Sequence, residues 1–83
     1  MAPLVDWELE LSPHLFKRMI DRGFTEIDLR HMLEHGERIR RGAVPGRWVV
    51  VTRHRRRVWE VIVEPDFAAR LLVVVTAYAV WEP

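Results

Sequence analysis

Ser12-Pro13-His14-Leu15-Phe16-Lys17-Arg18-Met19-Ile20-Asp21-Arg22-Gly23 is the stretch around which the chain is organised. It spells a short helix with both ends marked. The Ser12 hydroxyl can cap the first turn by accepting from a free amide. Pro13 suits the first helical position, where a missing N–H costs nothing. Gly23 ends the helix where the backbone needs positive φ. At about 100° per residue, Leu15, Phe16, Met19 and Ile20 share one face and are expected in a core. His14, Arg18 and Arg22 follow one another at one-turn spacing along the edge of that face. His14 lies in the first turn, at the positive end of the helix dipole and one turn from Arg18. Both influences favour neutral imidazole and are expected to lower its pKa. A neutral imidazole at pH 7 can act as a general base; it can equally be a polar residue closing a helix start.

Upstream, Trp7, Leu9 and Leu11 alternate with Asp6, Glu8 and Glu10, so residues 4–11 form a short half-buried strand or an extended arm. Downstream, Thr25 is a natural N-cap with Asp28 three residues on, and Phe24 and Leu29 have the spacing of a hydrophobic staple. Leu29, Met32 and Leu33 are the buried stripe of this second helix, and Gly36 stops it. His31 and His35 lie four apart on one helix face, a spacing found in zinc sites, but no third ligand is evident in the sequence. They belong to a solvated face on this reading, and neither a metal nor a cofactor is called for.

Residues 38–41 lead through Gly42-Ala43-Val44-Pro45-Gly46, a turn signal, into three strands at 47–52, 57–63 and 70–78, with an extension towards Trp81 left open. All three are rich in β-branched and aromatic residues. The short connections 54–56 and 65–69 call for antiparallel neighbours. Period-two counting places Leu72, Val74, Thr76 and Tyr78 on one face of the last strand. Trp48 and Trp59 are expected to fill the core. The whole is an α+β layer with helices on one side of the sheet.

At 83 residues the chain is one small domain, 1–83, and domains of this size bury only roughly 60–65% of their unfolded surface. A self-associating domain is therefore one reading, with a homodimer as its form. No cysteine is present, which excludes disulfides, thiolate metal sites and a cysteine nucleophile, and fits a reducing cytoplasm. Met1 to Asp6 carries neither a basic region nor an apolar run, so no signal peptide and no membrane association are expected.

The net charge of +1 hides a polarised distribution. Arg38, Arg40, Arg41, Arg47, Arg53, Arg55, Arg56 and Arg57 fall within residues 38–57, which contain no acid. All twelve acids therefore lie elsewhere, against five bases. Twelve of the thirteen basic residues are arginine, the side chain that pairs bidentately with phosphate and stacks on bases. A local basic block beside an acidic remainder suits a polyanion-binding face, RNA foremost, with Arg18 adding to it. Cleaving RNA without metal needs a base for the 2′-hydroxyl, cations for the phosphate and a donor for the leaving 5′-oxygen. His14, then Arg22 and Arg47, then Thr76 or Tyr78 are chemically suited to these roles.

Ser-x-His-x-x-x-Arg-Met-x-x-Arg-Gly, here Ser12 to Gly23, resembles the opening of a group of small bacterial domains of uncharacterised function. Gly46-Arg47-Trp48-Val49-Val50 and Val74-Val75-Thr76-Ala77-Tyr78 continue that resemblance over roughly residues 8–80. The group is similar to RelE- and BrnT-like toxins and to the wider barnase, EndoU, colicin and RelE-like fold of metal-independent RNases. The resemblance implies two N-terminal helices on a four-stranded antiparallel sheet and an RNA-cleaving site on the sheet and first helix. His14, Arg47, Thr76 and Tyr78 match the group's polar positions. The leading expectation is thus a cytoplasmic endoribonuclease of toxin type with His14 as base and Arg22 and Arg47 as phosphate clamps. The alternative is a non-catalytic, arginine-driven module that holds nucleic acid or an acidic protein. An acidic antitoxin-like partner suits both.

Overall fold

A computed structural model describes residues 7–80. The part of the first-strand reading that falls on residues 4–6, and the extension to Trp81, lie outside the described residues. The elements are β1 (Glu8–Leu11), α1 (Pro13–Arg22), α2 (Glu26–Glu34), β2 (Gly36–Arg41), β3 (Trp48–His54), β4 (Arg57–Asp66) and β5 (Leu71–Ala79).

The helix ends follow their sequence signals. Ser12 is extended, and its hydroxyl accepts from the Leu15 amide at 3.0 Å. Gly23 takes φ 68°, and its N–H donates to the Met19 carbonyl. Thr25 and Asp28 form both halves of a capping box. Phe24 and Leu29 are both buried in the core. The second helix, however, is capped by His35, and Gly36 is already the first residue of β2. Gly36 is needed for close approach: a Cβ there would sit 2.8 Å from Val50 Cγ1. The Thr52 hydroxyl, fully buried beneath this junction, donates to the His35 carbonyl at 3.0 Å.

The sheet has five strands in the order β1-β5-β4-β3-β2. This corrects the four-stranded antiparallel expectation in two places. First, β1 pairs with β5 in parallel, Glu8 opposite Leu71 through Leu11 opposite Val74. A parallel pair needs a long crossover, and here the chain between β1 and β5 supplies the rest of the domain. Second, residues 38–41, expected as a linker, are an antiparallel edge strand on β3. Their arginines hid the strand, because an edge strand with few apolar residues has no hydrophobic period.

Both helices cover one face. Leu15, Phe24, Leu29, Met32 and Leu33 pack on Val50, Trp59, Val61, Val63, Leu72, Val74 and Ala77 in one core. Phe24 meets Trp59 edge to face at 5.4 Å. Trp48 packs at the margin of the core, with the Arg41 guanidinium 5.7 Å from its ring. Phe16 and Ile20, expected inside, are exposed at 55% and 84%. Of that apolar face, Leu15 and Met19 pack on the core.

A bulge reverses the face count on β5. Val63 pairs with Val74 and Ile62 with Thr76, so Val75 is an extra residue. Leu72 and Val74 face the helices; beyond the bulge Ala77 does, and Thr76 and Tyr78 turn to the other side. The expected common face of Leu72, Val74, Thr76 and Tyr78 is thus split in two. Ser12 docks on this bulge. Its N–H donates to the Val74 carbonyl, and its hydroxyl donates to the Val75 carbonyl at 2.8 Å.

The β3–β4 hairpin turns at Arg55 and Arg56 with φ of 52° and 65°. Left-handed backbone suits a two-residue hairpin turn but costs a residue other than glycine about 1 kcal/mol. Arg56→Gly is expected to stabilise the domain by about 1 kcal/mol. Ser12→Ala, which removes a cap and a bond to the bulge, is expected to destabilise it by about 1–2 kcal/mol. Urea denaturation of both variants beside the parent checks the two signs.

Candidate nucleic-acid interface

The face of the sheet opposite the helices is not covered by another element among the described residues. Period-two geometry puts Arg38 and Arg40 of β2, Val49 and Val51 of β3, Glu60, Ile62 and Glu64 of β4, and Thr76 and Tyr78 of β5 on it. At its centre the Tyr78 hydroxyl donates to Glu60 Oε1 at 2.6 Å. Arg40 donates to both Glu60 oxygens at 3.2 and 3.3 Å. Because β2 and β4 are not neighbours, Arg40 has to cross β3 to reach Glu60. Arg38, Arg40, Val51 and Glu60 line a shallow groove of about 370 Å³.

The Tyr78 hydroxyl bond, then the two bonds from Arg40, hold the Glu60 carboxyl below its ordinary value, against a smaller opposing effect of burial. Arg38 adds to the lowering. Tyr78 is shifted the other way, chiefly by its bond to Glu60, so its phenol holds its proton more tightly than usual. At neutral pH the cluster therefore holds an anionic carboxylate, a cationic guanidinium and a neutral hydroxyl in one hydrogen-bonded set.

Of the residues the sequence nominated, Arg22 and Tyr78 meet in one cleft of about 330 Å³, with Arg57, Trp59 and Ala79. The Arg22 guanidinium has a structural bond there: Nη1 donates to the Ala77 carbonyl at 2.7 Å. His14 is exposed in the first turn of α1, with no hydrogen bond to the Tyr78–Glu60–Arg40 set among the described residues. Arg47 pairs with Glu64 at 3.3 Å, and Thr76 sits opposite Ile62 without a side-chain partner among the described residues. Arg53 lies 3.9 Å from Glu37, Arg18 lies 3.6 Å from Asp21, and Arg55 donates to Asp28 at 3.2 Å. Arg38, Arg41, Arg56 and Arg57 form no ion pair among the described residues. The sequence reading missed Glu60. Its signal is a lone carboxylate between Trp59 and Val61 in a strand that is otherwise apolar from Val58 to Val63.

This architecture defines a small mixed α+β domain with two helices on one face of a five-stranded sheet and an arginine- and glutamate-bearing face on the other. Over residues 11–79 the chain matches the family described as "Domain of unknown function (DUF4258)", and it belongs to that family. No curated protein and no solved structure matches it. No helix among the described residues is long and apolar enough to cross a membrane.

The sign of the acid dependence follows from Glu60. Its folded pKa is depressed, so its contribution is present above the ordinary glutamate value of 4.5 and is lost as pH falls through the lower folded value. Tyr78→Phe removes the largest cause of that depression. The variant is expected to be less stable at neutral pH and to lose stability less steeply on acidification, which denaturation between about pH 2 and 7 measures.

Proposed function

We propose that the domain binds RNA on its helix-free sheet face and cleaves it without a metal ion, as an endoribonuclease of toxin type. The observation that carries this reading is the Tyr78–Glu60–Arg40 set, with its hydroxyl–carboxylate distance of 2.6 Å. It combines a carboxylate, a proton donor and a phosphate-pairing cation beside a groove that also offers Arg38. Glu60 takes the proton of a ribose 2′-hydroxyl, whose oxygen attacks the adjacent phosphorus. Arg40 and Arg38 neutralise the charge that gathers on the phosphate oxygens. Tyr78 gives its proton to the departing 5′-oxygen, leaving a 2′,3′-cyclic phosphate. The proton on Glu60 then returns to Tyr78 through the bond they share.

The long Arg40 bonds support this assignment. At 3.2–3.3 Å they exceed the 2.7–2.9 Å of a tight charge-assisted pair, and more than half of the Arg40 side chain is exposed, so a phosphate can share it. His14, exposed on α1 and outside this hydrogen-bonded set, is the second candidate base.

Purified protein incubated with total RNA in EDTA is expected to yield 2′,3′-cyclic ends. Glu60→Gln is expected to lower the rate at least about 100-fold, the typical contribution of a positioned base, while His14→Ala retains cleavage. The reverse pattern would return the base to α1.

The alternative, a non-catalytic module that holds RNA or an acidic antitoxin-like protein, is favoured by the four arginines without ion pairs. It predicts no cleavage by the parent, with affinity falling steeply with salt as phosphate counterions are released.

A further inference from the structure

At the end of the sheet away from the bulge, four side chains from α2 and the β3–β4 hairpin converge. Asp28 and His54 are the buried pair, each side chain about 10% exposed. His54 Nε2 lies 2.9 Å from Asp28 Oδ1. His54 Nδ1 lies 3.1 Å from His31 Nδ1. The His35 ring stacks on His31 at 4.2 Å, and its Nδ1 lies 2.9 Å from the His31 carbonyl.

The carboxylate fixes the tautomers. Asp28 accepts from the Thr25 amide at 2.8 Å, the Thr25 hydroxyl at 3.1 Å and Arg55 at 3.2 Å, the surroundings of a carboxylate. An ionised carboxylate only accepts, so His54 Nε2 carries a proton and donates it to Asp28. His54 Nδ1 then presents a lone pair to His31 Nδ1. The His35 Nδ1 proton is committed to the His31 carbonyl. The result is one oriented imidazole lone pair, backed by a carboxylate and facing a second imidazole nitrogen. A carboxylate behind a histidine is the arrangement that orients metal-binding imidazoles and raises their basicity.

We propose that His31 Nδ1 and His54 Nδ1 together bind a divalent first-row transition ion such as Zn²⁺, clamping α2 to the β3–β4 hairpin. With metal–nitrogen bonds of about 2.0–2.1 Å, nitrogens 3.1 Å apart subtend roughly 100° at the ion, between square-planar and tetrahedral angles. The ion takes the place of the proton that the two nitrogens share, with His54 still held by Asp28 and the exposed His31 ring adjusting to meet it. Among the described residues no group of three histidine, cysteine or acidic side chains forms a metal-holding set, so water completes the coordination. His35 stays outside it, stacked on His31. The clamp is independent of the sheet-face chemistry, which needs no metal, so EDTA abolishes one and leaves the other intact.

Isothermal titration of the full chain with ZnCl₂ is expected to show saturable binding of one ion per chain and a rise in melting temperature that EDTA reverses. His31→Gln changes an exposed ring and is expected to abolish binding without unfolding the domain. His54→Gln is expected to do the same, and Asp28→Asn to weaken binding roughly 10–100-fold. His35→Gln and His14→Ala are expected to retain it. Absence of saturable binding, or binding unchanged in His31→Gln, would overturn the proposal. Binding lost in His35→Gln but kept in His54→Gln would place the ion on α2 alone and overturn the clamp.

Discussion

The outer edge of β5 is the constraint on which the domain depends. A strand edge offers carbonyls and amides that must find partners. Here one short segment supplies several of them in succession. β1 pairs with residues 71–74, the Ser12 amide and hydroxyl take the carbonyls of Val74 and Val75, and Arg22 takes that of Ala77. Ser12 and Arg22 stand at opposite ends of α1, so the helix is fastened to the sheet at both ends while Leu15 enters the core between them. The spacing of Ser12 and Arg22 in the sequence motif thus has a structural cause, and Arg22 serves the sheet edge before any ligand.

The bulge at Val75 connects that edge to the candidate interface. Without the extra residue, Thr76 and Tyr78 would continue the inward face of Leu72 and Val74. With it, Ala77 fills the small space left under the helices, and Tyr78 turns outward opposite Glu60. A polar cluster therefore forms on the face that no helix covers, and its tyrosine is placed by the same irregularity that receives Ser12.

Local signals were legible because they concern neighbours in the chain. The caps at Ser12, Gly23 and Thr25 act within one turn, and each is found where the sequence puts it. The antiparallel pairing of β3, β4 and β5 followed from short connections. What escaped the sequence depends on distant partners. The parallel register of β1, the edge strand β2 and the bulge are settled by who lies alongside, which periodicity does not encode. Phe16 and Ile20 failed for a related reason: the apolar stripe on α1 is wider than its contact with the sheet. The Glu60 cluster brings Tyr78 of the neighbouring β5 together with Arg40 of β2, which reaches across β3. His54 was obscured by the arginines that follow it, and its pairing with Asp28 spans 26 positions.

The arginine block also changes meaning once it is folded. Within residues 38–57, Arg40, Arg47, Arg53 and Arg55 each meet an acid from outside the block: Glu60, Glu64, Glu37 and Asp28. The Arg47–Glu64 and Arg53–Glu37 pairs, exposed on both sides, add little stability, but all four pairs reduce the net charge of the block. Of the block's four arginines without an ion pair among the described residues, Arg38 lines the Glu60 groove and Arg57 the Tyr78 cleft. Arg38 shares the helix-free face with the Tyr78–Glu60–Arg40 set, whereas Arg57 has the parity of Trp59 on the helix side and adjoins Tyr78 at the cleft. Internal pairing thus leaves Arg38 as the guanidinium without an acid partner, among the described residues, beside the hydrogen-bonded cluster.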